Sequence, residues 1–209
     1  MRLAVALVAL VAVTWDRAAG AADAGDERPW SIAANAYAYF IPEESDFVMA
    51  VVPADVRLLH VEARYNYEAI RSGSAFVGVN VGVRWGEGFK LALTPMFGGV
   101  AGELDGVIPA LRFTVTWWKL ELTSESEVVI DLDDNGDSFF YNWSELGIAP
   151  VDWLHTGVVI QRNRELHTPL DVQRGLFVAG TFRSATLTLY ELNLFWTTPT
   201  WIVALSVAF

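Results

Sequence analysis

Large apolar side chains return at every second position along most of this chain, and that period restricts its fold more than any other feature. The last stretch, Thr198 to Phe209, puts Trp201, Val203, Leu205, Val207 and Phe209 on one parity. The other parity carries Thr200, Ile202, Ala204, Ser206 and Ala208, which are mostly small. A strand sends successive side chains to opposite faces, so this segment has one greasy face and one slim face. Further upstream, Leu59, Val61, Ala63, Tyr65 and Tyr67 oppose His60, Glu62, Arg64 and Asn66. Val77, Val79, Val81, Val83 and Trp85 likewise oppose Gly78, Asn80, Gly82 and Arg84.

Composition narrows the class. Apolar residues make up 53% of the chain. Yet past the N-terminus no apolar run approaches the roughly 18–20 residues of a spanning helix. A barrel whose outer wall faces lipid accommodates that hydrophobicity, and the 9 Trp, 12 Phe and 6 Tyr suit aromatic girdles at its two rims. With no Cys there is no disulfide framework, which suits an oxidising periplasmic transit. A formal charge of −11 argues against a nucleic-acid partner. The acidity reads first as solubility of the loops and second as cation binding among anionic surface lipids.

At the N-terminus, Arg2 precedes the apolar core Leu3 to Val13, and Ala19-Gly20-Ala21 offers a small-x-small cleavage site. The expected organisation is a signal peptide over 1–21, a polar flexible leader over 22–29 and a barrel over 30–209. A retained anchor is the rival reading, disfavoured by the short core.

The closing stretch resembles the last strand of bacterial outer-membrane β-barrels, which ends in an aromatic residue with apolar residues at alternate positions before it. That resemblance implies an outer-membrane location after export, outer-membrane lipids as surroundings, and recognition of Trp201–Phe209 by the barrel-assembly machinery. The parity predicts an all-β, transmembrane, up-and-down antiparallel barrel of twelve strands, ten being the alternative count. Short turns are expected near 53–56, 86–88, 117–118, 149–152 and 183–185. Longer loops are expected near 42–46, 69–74, 99–107, 132–138, 164–173 and 196–199. Bacterial barrels have short periplasmic turns and longer outer loops. Trp30, Trp85, Trp117, Trp153 and Phe209 then lie at the periplasmic rim, and Phe40, Tyr65, Tyr67, Phe139, Trp196 and Trp201 at the outer rim. A soluble lipocalin-like barrel shares the alternation but leaves the rim aromatics unexplained.

With the greasy face outward, the lumen takes the other parity. Its charged and polar candidates are His60, Glu62, Arg64, Arg84, Lys90, Arg112, Lys119, Glu121, Glu125, Glu127, Glu145, His155, Gln161, Arg183 and Glu191. The two signs nearly balance, which fits a salt-bridged interior better than a charge-selective pore. Asp131, Asp133, Asn135 and Asp137 open like a calcium loop, with Gly136 for the turn. The twelfth position holds Asn142 instead of a bidentate Glu, so a solvated acidic turn is preferred, with a weak Ca²⁺ site second and no other cofactor. The His-x-Ser pair that a barrel resembling outer-membrane phospholipase A would carry is absent, so no enzyme is expected. The functional expectation is a monomeric, narrow, porin-like pathway for small polar solutes. The alternative is a non-conducting structural or surface-interaction barrel with acidic outer loops.

Overall fold

The computed structural model describes residues 30–42, 45–86, 88–133, 138–165, 168–194 and 199–209. The expected signal peptide and leader lie outside the described residues. Every described element is a strand: β1 Trp30–Phe40, β2 Phe47–Val56, β3 Leu59–Tyr65, β4 Gly73–Val79, β5 Val81–Trp85, β6 Phe89–Ala101, β7 Gly106–Trp117, β8 Leu120–Asp131, β9 Phe139–Val151, β10 Leu154–Glu165, β11 Asp171–Phe182, β12 Ala185–Leu192 and β13 Thr200–Ala208.

Each strand pairs antiparallel with its sequence neighbour, and β1 pairs with β13, setting Phe40 opposite Trp201 and Ala33 opposite Ala208. Strands β4 and β5 both pair with β6, Gly78 opposite Met96 and Val81 opposite Leu93. They are therefore two halves of one crossing, interrupted at Asn80. The result is a closed barrel of twelve antiparallel crossings with no free edge, the form in which a sheet satisfies its backbone without water.

The two ends differ in connection length. The links at 57–58, 86–88, 118–119, 152–153 and 183–184 are two or three residues long; those at 41–46, 66–72, 102–105, 132–138, 166–170 and 193–199 are four to seven. Three of the tight turns place a non-glycine residue at positive φ: Arg57 at 57°, Trp118 at 57° and Arg183 at 56°. Trp30, Trp85, Trp117, Trp153 and Phe209 are all exposed at the short-turn end.

Several boundaries move from their expected places. Pro53 does not end β2; the strand runs on to Val56, with Pro53 opposite Glu62. The β1–β2 ladder is interrupted at Val52 and Pro53, between the pairs Asn35↔Val51 and Ile32↔Ala54, as expected beside a residue lacking an N–H. Two long-loop links, 102–105 and 166–170, are shorter than expected, because β6, β7, β10 and β11 extend beyond their strongly alternating parts. Tyr67 is fully buried instead of sitting on the outer rim. The chain leaves β3 at Asn66, whose φ of 56° breaks the parity, so Tyr65 faces out and Tyr67 turns in. Phe139 also points inward, packed against the interior apolar clusters. Trp196 lies outside the described residues.

The outer wall is the greasy parity throughout most of its circumference, from Val48 and Val52 on β2 to Val203 and Leu205 on β13. The interior is filled. One cluster joins Tyr37, Tyr39, Met49, Val51, Tyr141, Trp143, Val159, Phe177, Tyr190 and Ile202. A second joins Phe76, Met96, Val100, Leu104, Ile108 and Val129. Edge contacts fix the rings: Trp143 meets Tyr190 at 5.5 Å and 78°, and Tyr67 meets Tyr141 at 6.4 Å and 82°.

Candidate functional site

Between the two apolar clusters lies a buried charge network. Strand β3 presents His60, Glu62 and Arg64 inward, β7 presents Arg112, and β8 presents Glu125 and Glu127, because these positions share the slim parity. In the sheet β3 and β8 are separated by β4, β6 and β7. Bonds between them therefore cross the lumen as chords instead of running along the wall.

Arg64 is the hub. Its Nε donates to Glu62 Oε1 at 2.6 Å, its Nη2 to Glu125 Oε1 at 2.8 Å, and its Nη1 to Glu127 Oε2 at 2.9 Å and Glu68 Oε1 at 3.4 Å. The Tyr67 and Phe76 rings each lie 4.1 Å from its guanidinium carbon. Arg112 closes a ring: Nε donates to Glu125 Oε2 at 2.5 Å and Nη2 to Glu62 at 3.0 and 3.2 Å. Planar guanidinium forks suit such shared carboxylate recognition. Two arginines face four carboxylates, so the cluster carries an excess of acidic groups. Atoms of both signs are left unmet: Glu68 Oε2, Glu127 Oε1 and Arg112 Nη1 are buried without a hydrogen-bond partner. Glu68 sits in the 66–72 link, where burial pushes its carboxyl above the usual range.

The network continues toward the short-turn end. His60 Nδ1 lies 2.8 Å from Asp55 and its Nε2 3.6 Å from Glu62. Asn80 Nδ2 donates to Asp55 Oδ1 at 2.6 Å, and Thr94 Oγ1 donates to Asn80 Oδ1 at 2.7 Å. The Asn80 interruption thus delivers an amide into the chain. On the opposite wall Glu145 Oε1 accepts from Trp143 Nε1 at 2.8 Å and from Tyr190 Oη at 3.0 Å.

The remaining sequence candidates distribute as follows. Gln161 is buried inside; Glu121 and His155 are half-buried on the inner wall. The His155 ring packs edge-on against Phe177 at 5.1 Å and lies over Gly147, where any Cβ would collide with it. Arg84 and Lys90 pair across β5 and β6 and are exposed beside the 86–88 turn. Lys119 and Arg183 are not on the lumen wall: both occupy tight turns, Lys119 Nζ donating to the Pro150 carbonyl at 2.8 Å and Arg183 lying over the Phe182 ring. Glu191 also differs. It pairs with Leu176 and Trp201, both on the outer wall, and alternates with buried Tyr190 and Leu192. Its charge had suggested an inward position, whereas the register fixes the reverse. Asp55, Glu68, Tyr67 and Ser74 fall outside the alternation that marks the lumen parity, whereas Asn80 and Thr94 lie on it but carry no charge to single them out. Asp55 falls in the 53–56 turn that Pro53 suggests, and Glu68 and Tyr67 sit beyond the regular period.

Of the acidic loop, Asp133 N donates to Asp131 Oδ1 at 3.0 Å and Asp131 N to Ser138 Oγ at 3.0 Å. Asn135 and Asp137 lie outside the described residues.

No family model matches this chain, and no curated protein does. Among solved structures, it is similar to KdgM porin, with a TM-score of 0.60 and 10% identity over 85% of this chain and 99% of that one. A second structure, KdgM porin in complex with disordered oligogalacturonate, gives 0.59 and 10%, covering 86% and 99%. Pseudomonas aeruginosa OccD3 (OpdP) gives 0.50 and 11%, covering 87% of this chain and 65% of that one. At such identities the likeness is one of fold: this chain has the closed antiparallel barrel of the outer-membrane porins.

Proposed function

We propose that this chain is a narrow, porin-like outer-membrane pathway for small polar solutes, held shut at rest by the Arg64–Arg112 network. The observation that supports the reading is the network itself. Hydrogen bonds join Thr94, Asn80, Asp55 and His60, and a second set joins Glu62, the arginines and Glu125, with His60 Nε2 3.6 Å from Glu62 between the two, on the inside of a lipid-facing barrel. Each bond is one that a solute hydroxyl or amide can replace, so a polar solute has a relay of partners along the axis. The excess of carboxylates around two arginines disfavours multiply charged anions. The exposed Arg84 and Lys90 form a basic mouth at the short-turn end.

The proposal includes export by the 1–21 signal peptide, insertion through Trp201–Phe209 by the barrel-assembly machinery, and a monomeric barrel in outer-membrane lipid. A weak Ca²⁺ site at the 131–137 loop stays a secondary proposal, read by calcium titration. No catalytic role is proposed.

A second reading has its own support. Tyr37, Tyr39, Tyr67 and Tyr190 are fully buried inside, as a packed, non-conducting core requires. Planar-bilayer recording of the refolded protein separates the two. Discrete small steps that enlarge when Arg112 is replaced by Ser support the pathway. Silence of both proteins at high loading, with the barrel folded, favours the non-conducting core. Charge reversal at Arg84 changes ion preference only if solutes pass.

A further inference from the structure

The outer wall is not apolar everywhere. On β8, β9 and β10 the greasy parity is interrupted by Ser124, Ser126, Asn142, Ser144 and Arg162, which alternate with the inward Glu125, Tyr141, Trp143 and Gln161. These side chains form one connected set. Asn142 Nδ2 donates to Ser124 Oγ at 3.0 Å, Ser126 Oγ at 2.9 Å and the Glu125 carbonyl at 2.9 Å. Ser124 Oγ lies 2.9 Å from Ser144 Oγ, and Ser144 Oγ donates to Asn142 Oδ1 at 3.1 Å. Arg162 Nη1 donates to the same Asn142 Oδ1 at 2.6 Å. Above this floor is a groove of about 580 Å³ walled by Phe113, Leu122, Phe140, Leu146, Val158 and Ile160.

The rim of the groove is basic. Arg164 shares the outward parity of Arg162 and lies opposite Phe140. Arg174 on β11 lies opposite Ile160 and alternates with residues that lead to buried Phe177 and Ala179. Both are exposed, close to the 166–170 link at the long-loop end. An outward arginine costs about 2–4 kcal/mol at the bilayer midplane and close to nothing at the interface, so three of them mark the headgroup level. Glu191, two residues before Asn193, which faces Arg174, is the nearest outward carboxylate in register among the described residues.

We propose that this groove binds a phosphorylated lipid of the surrounding leaflet. Its phosphate would be held by Arg162, Arg164 and Arg174, and an acyl chain would lie along the apolar walls. Three features select this occupant. Arginine forks match phosphate oxygens. The groove joins that basic rim to apolar walls, which is the polarity profile of a lipid. A second copy docking by two-fold symmetry would set arginines against arginines.

The test is native mass spectrometry of the refolded full chain in micelles doped with dioleoyl phosphatidic acid or dioleoyl phosphatidylcholine. The expected result is retention of phosphatidic acid over phosphatidylcholine, undiminished by added inorganic phosphate. Retention should fall about tenfold in R164Q/R174Q, which leaves the Asn142-centred floor intact. Heat-modifiable mobility confirms that the variant folds. Equal retention of the two lipids, undiminished retention in the double variant, or displacement by free phosphate would overturn the proposal. So would an arginine-dependent dimer that carries no lipid.

Discussion

Two materials fill this barrel, and they respond to change differently. Across β3, β7 and β8 the central filling is directional: Arg64 and Arg112 touch Glu62, Glu68, Glu125 and Glu127 and share their oxygens. On the side of β1, β2 and β9–β13 it is mostly apolar and aromatic, with Tyr, Trp, Phe and Met in contact. Ion pairs taken from water repay their desolvation only when complete, whereas apolar contacts degrade by degrees. The polar side therefore acts as a latch and the aromatic side as a fixed backing.

Exchanging one side's chemistry for the other's is the strongest way to break that comparison. Arg64→Met keeps bulk but strands Glu127 and takes one of two arginines from Glu62 and Glu125, and should cost about 3–5 kcal/mol in urea unfolding followed by tryptophan fluorescence in micelles. Met49→Leu on the aromatic side keeps volume without a polar loss and should cost under about 1.5 kcal/mol by the same measurement. Similar costs for the two would erase the distinction.

Within the latch, position decides the effect. Both oxygens of Glu125 are engaged, by Arg64, Arg112 and Tyr67. Glu127 leaves one oxygen unmet. Glu125→Gln should therefore destabilise by about 2–3 kcal/mol and Glu127→Gln by less than about 1. The reverse order would mean that the network is wired otherwise.

A smaller effect concerns pH. Burial raises the Glu68 carboxyl, so the folded barrel holds that proton more tightly than the unfolded chain. The linkage sign follows: its contribution is largest at low pH and is lost as pH rises from the ordinary carboxylate range through the raised value. Glu68→Gln should flatten that part of the stability–pH curve, and an unchanged slope would remove Glu68 as its source. Smallest of all, Arg183→Gly relieves a positive φ and should change stability by no more than about 1 kcal/mol.

Much of the wall was readable from the chain because period-2 alternation survives wherever one face meets lipid. The closing strand and β3 carry it almost without exception. The filling was harder to read. Tyr37, Tyr39 and Tyr190 are aromatic yet inward, and an aromatic residue looks alike at a rim and in a packed core. Tyr67 and Glu68 enter the site from an irregular link, where parity has no meaning. Glu191 and the Ser124–Asn142 patch break the rule in the opposite direction, putting polar groups outward. Such positions are resolved only by the register with neighbouring strands, which is a long-range property. The Asn80 interruption left no mark in the Val77–Trp85 alternation, because side-chain parity continues across it.

The central claim is that the greasy parity meets lipid while the inner parity is sealed. The chain contains no Cys, so single cysteines report cleanly. Leu189 is exposed on the outer wall and Thr188 beside it is buried within. Spin labels at Leu189→Cys and Thr188→Cys, in barrels reconstituted in bilayers, should divide sharply. The account predicts strong relaxation by oxygen at 189, and at 188 little relaxation by oxygen or by a water-soluble nickel chelate. Strong nickel relaxation at 188 would reveal an open water column, and nickel without oxygen at 189 would turn the barrel inside out.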